Sequence, residues 1–68
     1  MCCTAERIKR LRLSHNETQK KLADAAGVSV MAISKYENGL SVPSDDTKVK
    51  IARHYGVSVE WLFFCTGN

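Results

Sequence analysis

Residues 18–38, TQKKLADAAGVSVMAISKYEN, read as two short helices broken by a single glycine. That break is the strongest constraint in the chain. Leu22, Ala26, Ile33 and Tyr36 fall on the inward side of the pair, while Ala23 and Gly27 are small enough to keep the corner tight. Thr18 and Ser29 stand where helix N-caps belong, because a short side-chain oxygen there accepts a hydrogen bond from an otherwise unpaired backbone N–H. Lys21 occupies the position where a capping box would carry Glu, so the cap at Thr18 is partial. Gly27 can take the left-handed conformation that ends the first helix of the pair.

The same signals recur on either side, and they predict an all-α fold of five helices near 5–13, 18–26, 29–37, 44–55 and 58–64. Thr4 is the expected cap of the first helix, which places Ile8 and Leu11 on one face. Residues 14–17 are polar and read as a loop. Asn38-Gly39 supplies the exit of the third helix, and 40–43 form a connection. Ser44 caps the fourth helix, where Asp45 and Asp46 in the first turn suit the helix dipole. Gly56 ends it. Ser58 caps a short fifth helix; VSVEW is the one stretch with a strand-like alternation, and the cap with Glu60 behind it favours helix. The expected core is Ile8, Leu11, Leu22, Ala23, Ala26, Val28, Ile33, Tyr36, Val49, Ile51, Ala52, Tyr55, Val57, Trp61 and Leu62, drawn from several helices as a small bundle requires.

Sixty-eight residues make one domain, 1–68, and a chain of that size buries only about 60% of the surface its unfolded form exposes. No apolar run approaches the roughly 20 residues that span a bilayer, and charge begins at Glu6, so neither a membrane segment nor a signal peptide is expected. The expected location is the cytoplasm. Three cysteines, Cys2, Cys3 and Cys65, are too few and too oddly placed for a disulfide framework; no CxxC pair exists, and neither His15 nor His54 stands at zinc-ligand spacing from a cysteine. Reduced thiols are expected, with no metal and no cofactor. No small-molecule ligand is evident.

Net charge is +3 and the isoelectric point about 8.9, which suits a polyanionic partner without requiring one. Arg7, Lys9, Arg10 and Arg12 crowd the first helix and Lys48, Lys50 and Arg53 the fourth, though solvated helix faces account for most of these. No catalytic residues are expected. Ser14-His15 has no motif around it, and Asp45-Asp46 already serves a helix start.

A helix pair folded this tightly has one common use, the placing of its second helix in the major groove of double-stranded DNA. With Ile33 and Tyr36 turned to the core, the outer side of that helix carries Ser29, Val30, Met31, Ser34 and Lys35. Val30 and Met31 offer only apolar contact, best suited to thymine methyl groups, and Met31 lies further from the core side than Val30. Lys35 is the one strong donor, able to reach guanine O6 and N7 or a phosphate.

RIKRLR, then TQKKLA, GVSVMAISKYENG and PSDDTKVKIARHYGVSVEWLF, closely resemble the Cro/CI-type (XRE-like) helix-turn-helix repressors over residues 6–67. The resemblance implies a sequence-specific transcriptional regulator of a bacterium or phage, a repressor binding a two-half-site operator as a homodimer. It places Thr18 and Gln19 at the start of the helix that approaches the DNA backbone, where Gln19 reaches a base or braces the recognition helix. Asn38 and Ser41, with backbone N–H groups, are then left to meet phosphates, since loop 40–43 lacks the basic residues common in the family. The resemblance also pairs Arg12 with Glu37 as a structural ion pair. Lys48 stands where the family usually has a core leucine, so it either snorkels over its aliphatic stem or rearranges the fourth helix. Val59, Phe63 and Phe64 are candidates for a dimer surface, unless Phe63 completes the core. Cys65 would then stand near its dimer mate. An antitoxin-type or protein-interaction regulator on the same fold is the alternative, suited by the apolar loop and last helix.

Overall fold

A computed structural model describes residues 4–64. It is all-α, with α1 (Thr4–Ser14), α2 (Gln19–Ala26), α3 (Val30–Glu37), α4 (Asp45–Tyr55) and α5 (Val59–Phe63). Four starts follow the caps legible in the sequence. The hydroxyls of Thr18, Ser29 and Ser58 accept from the N–H groups of Lys21, Ala32 and Trp61 at 3.1, 3.1 and 3.0 Å, and Ser44 from Thr47 at 3.4 Å. Thr4 departs from expectation. It lies inside α1, and its hydroxyl donates to the Phe63 carbonyl at 3.3 Å, tying the start of the first helix to the end of the last.

The exits of α2, α3 and α4 share one geometry. After α2, Gly27 at φ 71° donates to Asp24 and Val28 donates to Ala23. After α4, Gly56 and Val57 repeat the pattern on Arg53 and Ala52. This is the Schellman arrangement, in which the residue past the glycine folds back on the helix it has left. Val28 and Val57 do so and pack on the core. Leu40, in the same place after α3, remains 75% exposed.

The core is Ile8, Leu22, Ala23, Ala26, Ile33, Ile51, Ala52, Tyr55, Leu62 and Phe63, with Leu11, Val28, Tyr36, Val57 and Val59 packed against it. Two core assignments read from the sequence are corrected. Val49 and Trp61 are 39% and 46% exposed rather than core. On α4 the buried positions are Thr47, Ile51, Ala52 and Tyr55, a four-residue rhythm that leaves Val49 on the far side. On α5 the buried side is Leu62 and Phe63, so Trp61 turns outward, where the Arg7 guanidinium lies 4.6 Å from its ring centre and donates to its carbonyl. Phe63 completes the core, the alternative that the sequence left open; Val59 is half-buried against the same core. Lys48 snorkels from an uninterrupted α4, its ammonium 5.7 and 5.6 Å from the ring centres of Phe63 and Phe64. Cys2, Cys3 and Cys65 lie outside the described residues. Among the described residues no helix is long and apolar enough to cross a membrane, and no cluster could hold a metal ion.

Candidate nucleic-acid interface

Two attachments fix α3. Ile33 is fully buried under it, and Glu37, at its last turn, is buried with only 9% exposure. A buried carboxylate needs a counter-charge and hydrogen bonds. Arg12 supplies both, its Nε donating to Glu37 Oε2 at 2.6 Å and its Nη2 to Oε1 at 3.1 Å. The hydrogen bond to Glu37 holds the guanidinium more firmly protonated than an ordinary arginine, outweighing the opposite effect of burial. Gln19, the first residue of α2, donates from Nε2 to the same Glu37 oxygen at 3.1 Å. The two helices of the pair are therefore locked by side chains that meet at one carboxylate. Gln19 braces in this structure, and its side chain is half-buried.

With that side anchored, the opposite side of α3 is presented to solvent. Met31 is 69% exposed and Val30 43%, Ser29 and Lys35 are exposed, and Ser34 is half-buried. Thr18 is exposed and engaged as the cap of α2. Asn38 turns its amide nitrogen back to the Ser34 carbonyl at 2.8 Å, so as it stands it closes the end of α3. Ser41 is exposed in a loop whose Leu40 and Val42 are about three-quarters exposed, at 75% and 74%. Lys20 is engaged at 3.4 Å with Asp24, an exposed pair of a kind that contributes little.

Behind the interface lies a network that local sequence patterns missed. The loop between α1 and α2 turns through Asn16 at φ 56°, a left-handed conformation that asparagine tolerates better than most residues. That turn directs Glu17 inward. Its carboxylate accepts from Tyr55 Oη at 2.8 Å and from His54 Nε2 at 2.7 Å, since an ionised carboxylate can only accept. The His15 ring packs on Tyr55 with centres 5.0 Å apart. Glu17 also presents its backbone carbonyl to Arg12 Nη1 at 2.8 Å. The sequence separations of 37 and 38 residues leave no periodicity to detect. The only signal was an acidic residue in a loop otherwise read as solvated.

Burial alone would raise the Glu17 pKa. The hydrogen bonds from Tyr55 and His54 and the charges of His54 and His15 reverse that and hold it below its ordinary 4.5. Burial, then the bond to Glu17, pushes the Tyr55 phenol well above its ordinary range. A carboxyl with a lowered folded pKa stabilises the fold fully above its unfolded value and loses that contribution as pH falls through the folded one. Urea midpoints of the wild type are thus expected to drop on acidification below pH 4.5, and Glu17→Gln should show a shallower drop in that window. Parallel curves for the two proteins would remove Glu17 as a source of acid sensitivity.

The profile of the helix-turn-helix family matches residues 8–62. Over 57 residues, 84% of this chain, it is 37% identical to the transcriptional repressor RstR of cryptic phage CTXphi from Vibrio cholerae, covering 51% of that protein. It is 40% identical over the same share to an HTH-type transcriptional regulator of Methanocaldococcus jannaschii, covering 86% of it. The HTH-type transcriptional activator BcrR of Enterococcus faecalis is 35% identical, with 28% of its length covered. The chain spans about half the length of the phage-derived relatives it matches, 51% and 53%. In fold it superposes on a transcriptional regulator from Listeria innocua with a TM-score of 0.90 at 19% identity, over all of this chain and 64% of that one. The glycine-broken pair, the carboxylate that locks it and these matches agree, and the chain belongs to the XRE-type helix-turn-helix family of transcriptional regulators.

Proposed function

We propose that the chain is a sequence-specific binder of double-stranded DNA that regulates transcription, acting as a homodimer on an operator with two half-sites. The observation that carries this reading is the asymmetry of α3: Ile33 and Glu37 are buried on one side, and Val30, Met31 and Lys35 stand exposed on the other. That side enters the major groove, with Ser29, Ser34 and Lys35 meeting base edges and Met31 and Val30 meeting thymine methyls. Thr18, Asn38 and Ser41 meet the backbone, Asn38 after turning away from Ser34, and Gln19 holds the recognition helix in place. Repression is the proposed outcome, after the phage repressor; the activator among the relatives shows that the family works in both directions. Phe64 and Trp61, 50% and 46% exposed on and just after α5, are the proposed dimer contact, with half-buried Val59 beside them.

Selection from a random DNA pool, followed by gel shift, tests the proposal. Lys35→Ala should relax preference at one position by about 1–3 kcal/mol if it reads guanine; an equal loss on all sites with a salt slope reduced by about one makes it a phosphate contact. Met31→Ala should penalise thymine-containing sites most, and an unchanged preference removes the methyl contact. One observation favours a second reading, a regulator that meets a protein partner as an antitoxin does: Leu40 and Val42 present apolar side chains to solvent beside α3. Absence of any sequence preference at physiological salt would select that reading over the first.

A further inference from the structure

Where the end of α3 with its 40–43 loop meets α1, α4 and α5, the fold leaves a cavity of about 290 Å³. Its lining is mainly apolar, from Ala5, Tyr36, Val42, Pro43 and Phe63, and the charged residue among the described lining residues is Lys48. The Lys48 side chain is only 18% exposed, with its ammonium between the rings of Phe63 and Phe64. Its counter-charge is weak. Asp45 lies 3.9 Å away with a fully solvated side chain, the kind of exposed contact that contributes little. A positive charge on a mostly covered stem, at the edge of a mainly apolar cavity, suits an anion that comes with its own apolar body. The volume falls just below the range for small-molecule sites, roughly 300–1,000 Å³, so the body must be small.

We propose that this cavity binds a small amphipathic carboxylate, its hydrocarbon part against Tyr36, Pro43 and Phe63 and its carboxylate on Lys48. The site has no signature in the linear sequence because its walls come from four separate segments. It touches the proposed DNA interface, since Ser41 lines it and Tyr36 belongs to the recognition helix.

The test titrates 3-phenylpropionate into isotope-labelled protein without DNA and follows backbone amide signals, so its failure is separable from failure of DNA recognition. Saturable shifts confined to residues 4–5, 36–43, 48 and 63 are expected. The neutral analogue 3-phenylpropan-1-ol should bind at least about tenfold more weakly, a difference of about 1.4 kcal/mol. Lys48→Met should lose a similar factor, and Lys48→Arg, which keeps the charge, should retain binding. No saturation by about 10 mM overturns the proposal, as this is weaker than the millimolar affinities of marginal sites. Equal affinity for acid and alcohol overturns it too. Inorganic phosphate reproducing the same shifts would make this a bare anion site and overturn the amphipathic assignment. Should Lys48→Met fail to fold, the acid–alcohol comparison on the wild type decides alone.

Discussion

Glu37→Ala is expected to destabilise the chain by about 3–5 kcal/mol, the usual cost of stranding one member of a buried ion pair. The arginine left behind has a side chain only 11% exposed, and its Nε and Nη2 donors lose their partner together. Gln19 loses its partner as well. For a domain of this size each kcal/mol moves Tm by about 4–8 °C, so the melting curve should shift down by at least about 12 °C. Arg12→Met combined with Glu37→Met removes both charges and should recover most of the loss, since well-packed apolar replacements of buried pairs are often neutral. A Glu37→Ala variant melting within a few degrees of the wild type would show that water reaches Arg12 and that the pair is not a lock. The single variant should also lose DNA affinity, because Gln19 and the end of α3 are released at the same time.

How much of this was legible in the sequence depended on how local the cause was. The caps at Thr18, Ser29, Ser44 and Ser58 and the glycine exits are decided within a few residues, and the structure follows them. Most of the core followed from helical phase. Phase failed at Trp61 and Phe63 because α5 is only five residues long, too short for an apolar stripe to be distinguished from its neighbours. There an aromatic next to an arginine turned out, and one facing Lys48 turned in. The Arg12–Glu37 pair came from family resemblance, since its separation of 25 residues has no local signature. Glu17 had only its place in a polar loop to mark it, since its partners lie on α4. The exposed side of α3 was the best-determined part of the site, because burying Ile33 leaves that helix a single outward side.

That dependence on Ile33 yields the second large effect. Ile33 is the fully buried hydrophobe of α3, so the register of every proposed base-reading residue rests on it. Ile33→Ala should cost about 2–5 kcal/mol through lost burial and the cavity left behind, while Ile33→Val should cost about 0.5–1.5 kcal/mol. The two variants separate stability from recognition if DNA affinity is measured well below both melting temperatures, where circular dichroism reports a folded chain. Under those conditions the valine variant should bind nearly as the wild type does. The alanine variant should lose on the order of tenfold, the equivalent of one base contact, because α3 can shift on the vacated space. Equal affinity for all three proteins would mean that Glu37 and the caps hold α3 without its buried anchor. The orientation of the reading face would then be set by polar contacts alone, and Glu37→Ala would become the variant that decides it.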